Sequence, residues 1–173
     1  MMIALLMSRL THGGRGMTSS KIRPISLDDI ESVFEIEKAS FPNPWEEDIF
    51  FQLALSGGRY HIDDSTTVIM EVIIEKGLVN GYMVWEENRE ENHGHILNLA
   101  VQKEFRQHGK GTKLLDHALS TMRRAGMETC ELEVRESNHW ARHLYESAGM
   151  IAVDRRVEYY DSEDAIIYTL SFT

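Results

Sequence analysis

Cysteine, proline and basic residues are scarce in this chain. One cysteine, Cys130, and three prolines occur among 173 residues, and acidic residues outnumber basic ones by 28 to 18. A single cysteine excludes an intrachain disulfide and fits a reducing, cytoplasmic location. The formal net charge of −10 argues against a nucleic acid partner, because neutralising a phosphate backbone needs a broad basic face. It suits a cationic partner, such as an amine or a basic polypeptide, and a generic solvated acidic surface explains it about as well.

Long hydrophobic runs are also missing. The apolar run from Met2 to Met7 is too short to span a membrane, and Arg9 follows it where a signal peptide would carry its charge before it. No membrane association is therefore expected. The glycines at 13, 14 and 16 predict a flexible linker, so residues 1–16 are expected to be a disordered extension. Met17 as an alternative start fits equally well. Residues 17–173 are expected to form one domain.

The apolar periodicity predicts the order βααβββαβαββ. A capping box at Ser26 and Asp29 starts the first helix, and Asn43 with Pro44 is expected to cap and start the second. The other predicted helices span 112–124 and 138–148. The predicted strands span 21–25, 66–74, 79–85, 95–101, 129–135, 150–159 and 165–172. We expect the α/β (α+β) class, with a mixed six- to seven-stranded sheet and helices on both faces.

The most informative segment runs from Asn98 to Leu115. A strand end and a charged turn lead into a Gly109-Lys110-Gly111 loop, and an amphipathic helix follows. Backbone N–H groups of such a loop, together with the helix N-terminus, favour an anion such as a diphosphate. The loop lacks the third glycine of a dinucleotide fingerprint and the Gly-Lys-Ser/Thr ending of a triphosphate loop. Five basic side chains surround it: Lys103, Arg106, His108, Lys110 and Lys113. A phosphate-bearing ligand is therefore predicted.

The loop and four other segments resemble the GNAT superfamily of N-acetyltransferases. The stretch from Gln107 to Thr112 is similar to the pyrophosphate loop of that superfamily. Four further stretches are similar to those of its ribosomal-protein alanine acetyltransferases and archaeal N-terminal acetyltransferases: 41–45, 132–138, 144–150 and 159–167. The resemblance keeps its order and spacing over roughly residues 21–171.

This resemblance implies a role for each matching position. Glu133 would be the general base and Tyr145 the general acid, and Asn138 would contact the pantetheine of acetyl-CoA. The backbone of Leu99, Ala100 and Val101 would pair with the pantetheine arm. The pyrophosphate would be bound by Gln107, His108, Gly109, Lys110, Gly111 and Thr112, although Lys110 and Thr112 depart from residues common in relatives. The acceptor site would be lined by Phe41, Trp45, Tyr159 and Tyr160. No metal is implied.

Some of these residues have plainer explanations as well. From the residues alone, Glu133 could be a solvated strand carboxylate, Tyr145 a half-buried core residue, and Asn138 a helix cap. Cys130 falls on the predicted core face of its strand, which argues against an acetyl-cysteine intermediate. The histidine pairs 139/143 and 93/95 have spacings compatible with a metal. Without a cysteine cluster or a His-Glu-x-x-His motif, a surface role is favoured for both pairs.

The predicted activity is direct, sequential transfer of an acetyl group to a protein N-terminal α-amine, with ribosomal proteins among the candidate acceptors. An α-amine has a pKa of about 7.8 and lysine about 10.4, so one modest carboxylate base is better matched to the α-amine. Two alternatives stay open within enzymes: a small-molecule acetyltransferase for polyamines or aminoglycosides, and a lysine acetyltransferase. A third alternative is a non-catalytic acetyl-CoA-binding subunit or sensor. A monomer or weak dimer is expected.

Overall fold

The structure, a computed structural model, describes residues 19–160 and 162–172, so the predicted extension over 1–16 and Met17 lie outside the described residues. The strands are β1 (Lys21–Pro24), β2 (Arg59–His61), β3 (Thr66–Glu75), β4 (Leu78–Asn88), β5 (His93–Val101), β6 (Thr129–Arg135), β7 (Ile151–Tyr160) and β8 (Glu163–Ser171). The helices are α1 (Ile30–Ser40), α2 (Glu47–Leu55), α3 (Lys110–Arg124) and α4 (His139–Ser147). The α/β class and the mixed sheet are confirmed.

All eight strands belong to one sheet, in the order β1-β3-β4-β5-β6-β8-β7, with β2 paired to β3. Only β5 and β6 run parallel, and their pairing covers only His93–His95 against Thr129–Glu131. Beyond that point β5 stays paired with β4, and β6 stays paired with β8. The middle of the sheet therefore opens into a wedge between β5 and β6.

Helices cover both faces of the sheet, as predicted. On one face, Leu114 and Met122 of α3 pack with Met83 and Trp85 of β4. On the other face, Val33 of α1 and Phe50 of α2 pack with Tyr82 and Val84 of β4. Alternate residues of β4 thus enter opposite cores, as the twofold period of a strand requires. A ligand in the wedge would reach both faces.

The predicted capping box is confirmed. The Ser26 N–H donates to Asp29 Oδ2 at 2.8 Å, and the Asp29 N–H donates to the Ser26 carbonyl at 3.0 Å. The Arg23 guanidinium also binds the Asp29 carboxylate at 2.6 and 2.8 Å. This arrangement anchors the entry to α1 on the end of β1.

The predicted start of the second helix is wrong. Glu46, not Asn43, occupies the cap position, and α2 begins at Glu47. The Trp45 N–H donates to the Glu37 carboxylate at 2.8 Å. This bond holds the residues before α2 against α1. Residues 41–46 therefore form a non-helical elbow, with Pro44 inside it and not at the first helical position.

Strand β2 was not predicted, and it brings the sheet to eight strands. It has three residues, too few to produce a detectable alternation of polar and apolar positions. It follows Gly58, whose φ is +79° and where a Cβ would lie 2.7 Å from the Met70 carbonyl oxygen. Glycine is therefore required where the chain turns from α2 to pair with β3.

Candidate active site

The wedge between β5 and β6 leaves backbone groups available at its centre. Residues 99–101 of β5 are paired on one side by β4, while the β6 side is unpaired beyond His95. A bulge precedes them, because Val84 pairs with Asn98 and Trp85 with Ile96, which leaves Leu97 without a partner in the register. The segment from Leu99 to Val101, expected to meet the pantetheine, is therefore not paired by a strand on its β6 side, although its Val101 carbonyl accepts from Arg106 Nε at 2.8 Å.

The glycine loop follows this segment after one short turn, Lys103–Phe105. Gln107 and Gly109 are left-handed, with φ of 62° and 74°. Among the described residues, no hydrogen-bond acceptor serves the N–H groups of residues 107–112; the first satisfied one belongs to Lys113, which donates to the Gly109 carbonyl at 2.9 Å. A row of free N–H groups at the start of a 15-residue helix is suited to a diphosphate.

Three of the basic side chains around the loop already bind other groups of the protein. Lys110 is buried, and its ammonium donates to Glu75 Oε2 at 2.5 Å. Arg106 donates to the Val101 carbonyl at 2.8 Å. Lys113 donates to Ser20 Oγ at 2.9 Å. The ion pair with Glu75 shows that the Lys110 ammonium is already engaged, and a phosphate contact through this side chain stays a prediction.

Glu133 lies on β6 beside the point where the wedge opens. Its side chain is 8% exposed. Its carboxylate contacts His95 Nε2 at 2.7 Å and Arg156 Nη1 at 2.9 Å. The hydrogen bond from His95, aided by the charge of Arg156, lowers the pKa of Glu133. Glu133 is thus an ionised carboxylate in a hydrogen-bonded network, not a solvated strand residue.

His95 is the partner that sequence reasoning missed. The hydrogen bond to Glu133 raises the pKa of His95 above its usual 6.5, and the nearby charges of Glu131 and Glu86 act in the same direction. Its side chain is 30% exposed, and Nδ1 has no partner among the residues that the structure describes. His95 was considered only for metal spacing with His93, and its contact across the wedge has no signal in the local sequence.

Three carboxylates surround His95 on the α1–α2 face of the sheet. Glu86 pairs with His95 across β4 and β5, and Glu131 pairs with it across β5 and β6. Glu133 adds the direct contact at 2.7 Å. We name Glu86, His95, Glu131 and Glu133 the acidic row; its three carboxylates outnumber Arg156, which lies 2.9 Å from Glu133 and 4.0 Å from Glu131 and offsets part of their charge. The negative charge that remains favours the approach of an ammonium group.

Tyr145 approaches the wedge from the opposite face. Its ring is buried in the core formed with α3, 6.1 Å from the ring of Tyr168. Burial raises the pKa of Tyr145, so its hydroxyl stays protonated at neutral pH. The hydroxyl has no hydrogen-bond partner among the described residues, and it is not among the fully enclosed polar atoms. The hydroxyl is therefore free to donate a hydrogen bond.

Asn138 is a helix cap. It precedes α4, and its Oδ1 accepts from the Ala141 N–H at 3.2 Å. The side-chain amide remains exposed at the N-terminus of α4, on the chain that leaves β6 after Glu133. The structural explanation considered from sequence thus holds, and a pantetheine contact through the amide group stays a prediction.

The two tyrosines at the end of β7 face different surroundings. The Tyr160 hydroxyl donates to the Glu133 carbonyl at 3.2 Å, and the Arg135 guanidinium lies 4.4 Å from the Tyr160 ring centre. Tyr159 is 47% exposed and lies under Arg156 at 5.6 Å. Burial raises the pKa of Tyr160 to about 12. Tyr160 therefore supports the strand that carries Glu133, while Tyr159 is open to an acceptor.

The elbow after α1 is connected to the wedge through a buried carboxylate. Glu37 is fully buried and accepts hydrogen bonds from the Trp45 N–H at 2.8 Å, the Tyr82 hydroxyl, and Asn98 Nδ2 at 3.1 Å. Trp45 lines an apolar pocket on this face, while Phe41 packs against the core. Sequence reasoning missed Glu37, since an isolated helical glutamate normally faces solvent.

The other candidate nucleophile and metal ligands do not form a reactive or metal-binding site among the described residues. Cys130 is fully buried, and burial raises its pKa to about 12, so no thiolate nucleophile is available there. His93 Nδ1 contacts Thr129 Oγ1 at 2.8 Å. No group of three or more potential metal ligands occurs among the described residues. Nor does any described helix have the length and apolar character needed to cross a membrane.

Comparison with known proteins identifies the family. Residues 30–150 match the model of the acetyltransferase (GNAT) family. This chain therefore belongs to the GNAT acetyltransferases. The mixed sheet with helices on both faces accordingly matches the fold of this family, as the sequence resemblance implied.

Individual relatives agree with this assignment along most of the chain. The ribosomal protein bS18-alanine N-acetyltransferase of Salmonella typhimurium is 31% identical over 157 residues, covering 84% of this GNAT chain and 93% of the relative. An N-alpha-acetyltransferase of Sulfolobus acidocaldarius is 29% identical, covering 91% and 96% of the two chains. The crystal structure of the ribosomal-protein alanine N-acetyltransferase of Escherichia coli superposes with a TM-score of 0.74 at 25% identity, covering 90% and 95%.

Proposed function

We propose that this GNAT enzyme transfers an acetyl group from acetyl-CoA directly to the N-terminal α-amine of a protein or peptide. The observation that carries the proposal is the pair formed by His95 and Glu133 at the opening of the wedge, with nitrogen and oxygen 2.7 Å apart. The relatives named for N-terminal and ribosomal-protein alanine acetylation support an α-amine as acceptor.

The donor side fits acetyl-CoA through backbone groups. The free N–H groups of residues 107–112 suit its pyrophosphate, and the unpaired edge from Leu99 to Val101 suits the amides of its pantetheine arm. Bound acetyl-CoA supplies a thioester whose carbonyl can be attacked by a neutral amine. The chain's own contribution on this side is to hold that thioester in the wedge, between the two faces of the sheet.

The acceptor side has to remove a proton from the amine. An α-ammonium has a pKa of about 7.8, so a base whose pKa lies close to neutrality is best matched to it. Glu133 alone is a poor match, because His95 and Arg156 lower its pKa. His95 is better matched, because Glu133 raises its pKa above 6.5. We therefore assign proton acceptance to His95 Nδ1, with Glu133 orienting the ring and stabilising the imidazolium; the predicted role of Glu133 as the base itself stays a prediction.

The leaving thiolate needs a hydrogen-bond donor on the other face. The Tyr145 ring is buried, and its hydroxyl is protonated and without a partner among the described residues. A thiol has a pKa of about 8.5, so complete proton transfer from a tyrosine of raised pKa is uphill. Tyr145 is therefore assigned to donate a hydrogen bond to the departing sulfur and to stabilise its charge.

Three acceptors test the proposal when acetyl-CoA turnover is followed as released thiol. The first is a lysine-free peptide with a free N-terminus, the second has a blocked N-terminus and one internal lysine, and the third is spermidine. We expect rapid turnover on the first alone. Turnover confined to the lysine peptide or to spermidine would overturn the α-amine assignment and keep the donor site. CoA binding without turnover on any acceptor would indicate a sensor or a non-catalytic subunit.

A further inference from the structure

A basic side chain, Arg156, contacts the carboxylate that His95 binds. Arg156 Nη1 donates to Glu133 Oε1 at 2.9 Å, while His95 Nε2 lies 2.7 Å from the other oxygen, Oε2. Arg156 Nη2 also lies 4.0 Å from the Glu131 carboxylate. The guanidinium and the imidazole are therefore one carboxylate apart, and the proposed reaction has so far given Arg156 no role.

A bulge in β7 places Arg156 on this face of the sheet. The register between β7 and β8 slips by one residue at Val153. Beyond the slip, Arg156 lies in line with Arg135 of β6, two residues along that strand from Glu133. Side chains two residues apart on a strand share a face, so Arg156 and Glu133 face the same way, whereas Arg155 faces the other way. Bulges commonly re-aim a side chain in this manner.

Two tyrosines at the end of β7 support this arrangement. The Arg156 guanidinium lies 5.6 Å from the Tyr159 ring centre, and the Tyr159 and Tyr160 rings meet edge to face at 4.9 Å. The Tyr160 hydroxyl donates to the Glu133 carbonyl at 3.2 Å. Strand β7 is thus attached both to the side chain and to the backbone of Glu133. The Arg156 side chain is 47% exposed, so these contacts, and not core packing, hold it in place.

Arg156 supplies positive charge beside a base that is surrounded by carboxylates. The three carboxylates of the acidic row stabilise the protonated form of His95. A ring that is already protonated at neutral pH cannot accept a proton from an α-ammonium, whose pKa is about 7.8. The guanidinium opposes this stabilisation, because like charges so close together repel each other.

The effect of Arg156 on His95 is expected to be one of charge. The hydrogen bond between His95 and Glu133 Oε2 does not involve the guanidinium, so it persists when Arg156 is replaced. The other charged or titratable side chains around the pair also stay in place. They are Glu37 of α1, Glu86 of β4, His93 of β5, Glu131 and Arg135 of β6, Asp154, Tyr159 and Tyr160 of β7, and Glu163 of β8. Loss of Arg156 therefore removes a single charge from the surroundings of His95.

We propose that Arg156 is a positioning residue that acts on the base through Glu133: its charge keeps the His95 imidazolium from becoming too stable to exchange protons at neutral pH. This inference rests on the proposed function. Without Arg156, His95 remains a base, but it loses its proton only at higher pH. Arg156 itself needs no contact with the acetyl group or with the amine.

An NMR titration of the imidazole signals, in the enzyme without an acceptor, measures this effect directly. The His95 signal is identified by its loss in His95→Gln. Arg156→Gln should raise the pKa of His95 by about half a pH unit to one pH unit, the size expected when a unit charge roughly 7 Å away is removed. Arg156→Lys should restore the wild-type value, because it keeps the charge.

Arg155→Gln is the matched control. Arg155 is the neighbouring residue on the same strand, and its side chain is 56% exposed. It binds Glu136 at 2.8 Å and Asp164 at 2.7 Å, not Glu133. Its removal takes the same charge from the surface and should leave the pKa of His95 unchanged. Equal shifts in Arg155→Gln and Arg156→Gln would assign the effect to the overall surface charge, which overturns the inference.

The pH dependence of kcat/KM for the lysine-free peptide with a free N-terminus extends the test to the reaction. In Arg156→Gln the acidic limb should move to higher pH by the same amount as the pKa of His95. This direction is opposite to the one expected when Glu133 is replaced. Turnover above the limb should stay close to that of the wild type, because the base is still present.

The possible results separate this inference from the proposed function. An unchanged or lowered pKa of His95 in Arg156→Gln, with the peptide still acetylated, would overturn the role of Arg156 and keep the activity. A raised pKa that Arg156→Lys does not restore would contradict an effect of charge. A raised pKa with an acidic limb that stays in place would remove His95 as the base and, with it, the role of Arg156. No turnover of the peptide by the wild type, with CoA bound, would overturn the proposed function itself.

Discussion

The glycine loop and the acidic row are suited to ligands of opposite charge, and each relies on different chemical groups. The loop presents the backbone N–H groups of residues 107–112, and its conspicuous side chain, Lys110, is paired with Glu75 outside the loop. The acidic row uses side chains from three strands that meet only after the sheet has formed. A donor site made of backbone is therefore encoded in contiguous sequence, whereas an acceptor site made of side chains depends on strand register.

The glycine loop and the acidic row should also differ in how they respond to side-chain substitutions. Backbone groups keep their positions through many side-chain substitutions, provided that the left-handed turns at Gln107 and Gly109 persist. The acidic row depends on one 2.7 Å contact between His95 and Glu133. A single substitution there removes the base or changes its proton affinity. Loss of activity should accordingly be large in the acidic row and modest in the loop.

The largest effect is expected from His95→Gln. Removing the proposed proton acceptor should lower kcat/KM for the free N-terminal peptide by about 10²–10⁴-fold, the range of general-base catalysis. CoA affinity should stay unchanged, because the donor site is made of backbone. His93→Gln is the matched control, since His93 lies on the same strand and contacts Thr129 at 2.8 Å. Equal losses in the two variants would mean that both act through the stability of the strand.

A smaller loss, about 10²-fold in kcat, is expected from Tyr145→Phe, because the sulfur loses one hydrogen bond in the transition state. The KM for the peptide should not change. Tyr168→Phe provides the comparison, since its ring lies 6.1 Å from that of Tyr145 while its hydroxyl donates to Glu146 at 2.6 Å. Full activity of Tyr145→Phe in a folded protein would remove Tyr145 from the mechanism.

The loop should respond to backbone strain more than to loss of charge. Gly109→Ala places a side chain at φ of 74°. At a strain of about 1 kcal/mol, this should weaken CoA binding by roughly fivefold. Lys110→Met should change the CoA Kd by less than about threefold and lower Tm instead, because the 2.5 Å ion pair between Lys110 and Glu75 is lost. Calorimetric titration and thermal melting measure both quantities. A larger loss of CoA affinity in Lys110→Met than in Gly109→Ala would show that the Lys110 ammonium binds phosphate.

The fold was largely predictable because its signals are local. The capping box at Ser26, the strand alternation around Cys130 and the helix that follows Gly109 are each contained in a short segment. The predicted start of α2 was wrong for a non-local reason. The Trp45 N–H donates to Glu37 of the preceding helix, and α2 begins only after that contact. Strand β2 was not predicted because three residues are too few to show an alternation of polar and apolar positions.

The candidate site was predictable only in part, because its contacts join residues that are far apart in the sequence. Motifs predicted Glu133 and Tyr145 as site residues, but a motif does not state which side chains lie beside them. His95 is 38 residues from Glu133 and Arg156 is 23 residues away, and both contacts depend on how the strands pair. The ion pair of Lys110 with Glu75 was not predicted, because spacing gives the position of a side chain along the chain but not its direction.

The pH dependence of kcat/KM for the wild type and for Glu133→Gln tests the central claim, that His95 is the base and Glu133 adjusts it. Activity rises as His95 loses its proton. Because Glu133 raises the pKa of His95, the acidic limb in the wild type should lie above 6.5. Removing the carboxylate should move that limb to lower pH and leave measurable turnover. The same peptide is used for both proteins, so its own amine ionisation cancels. A limb that stays in place, or activity abolished at every pH in a folded variant, would contradict the account and make Glu133 the base.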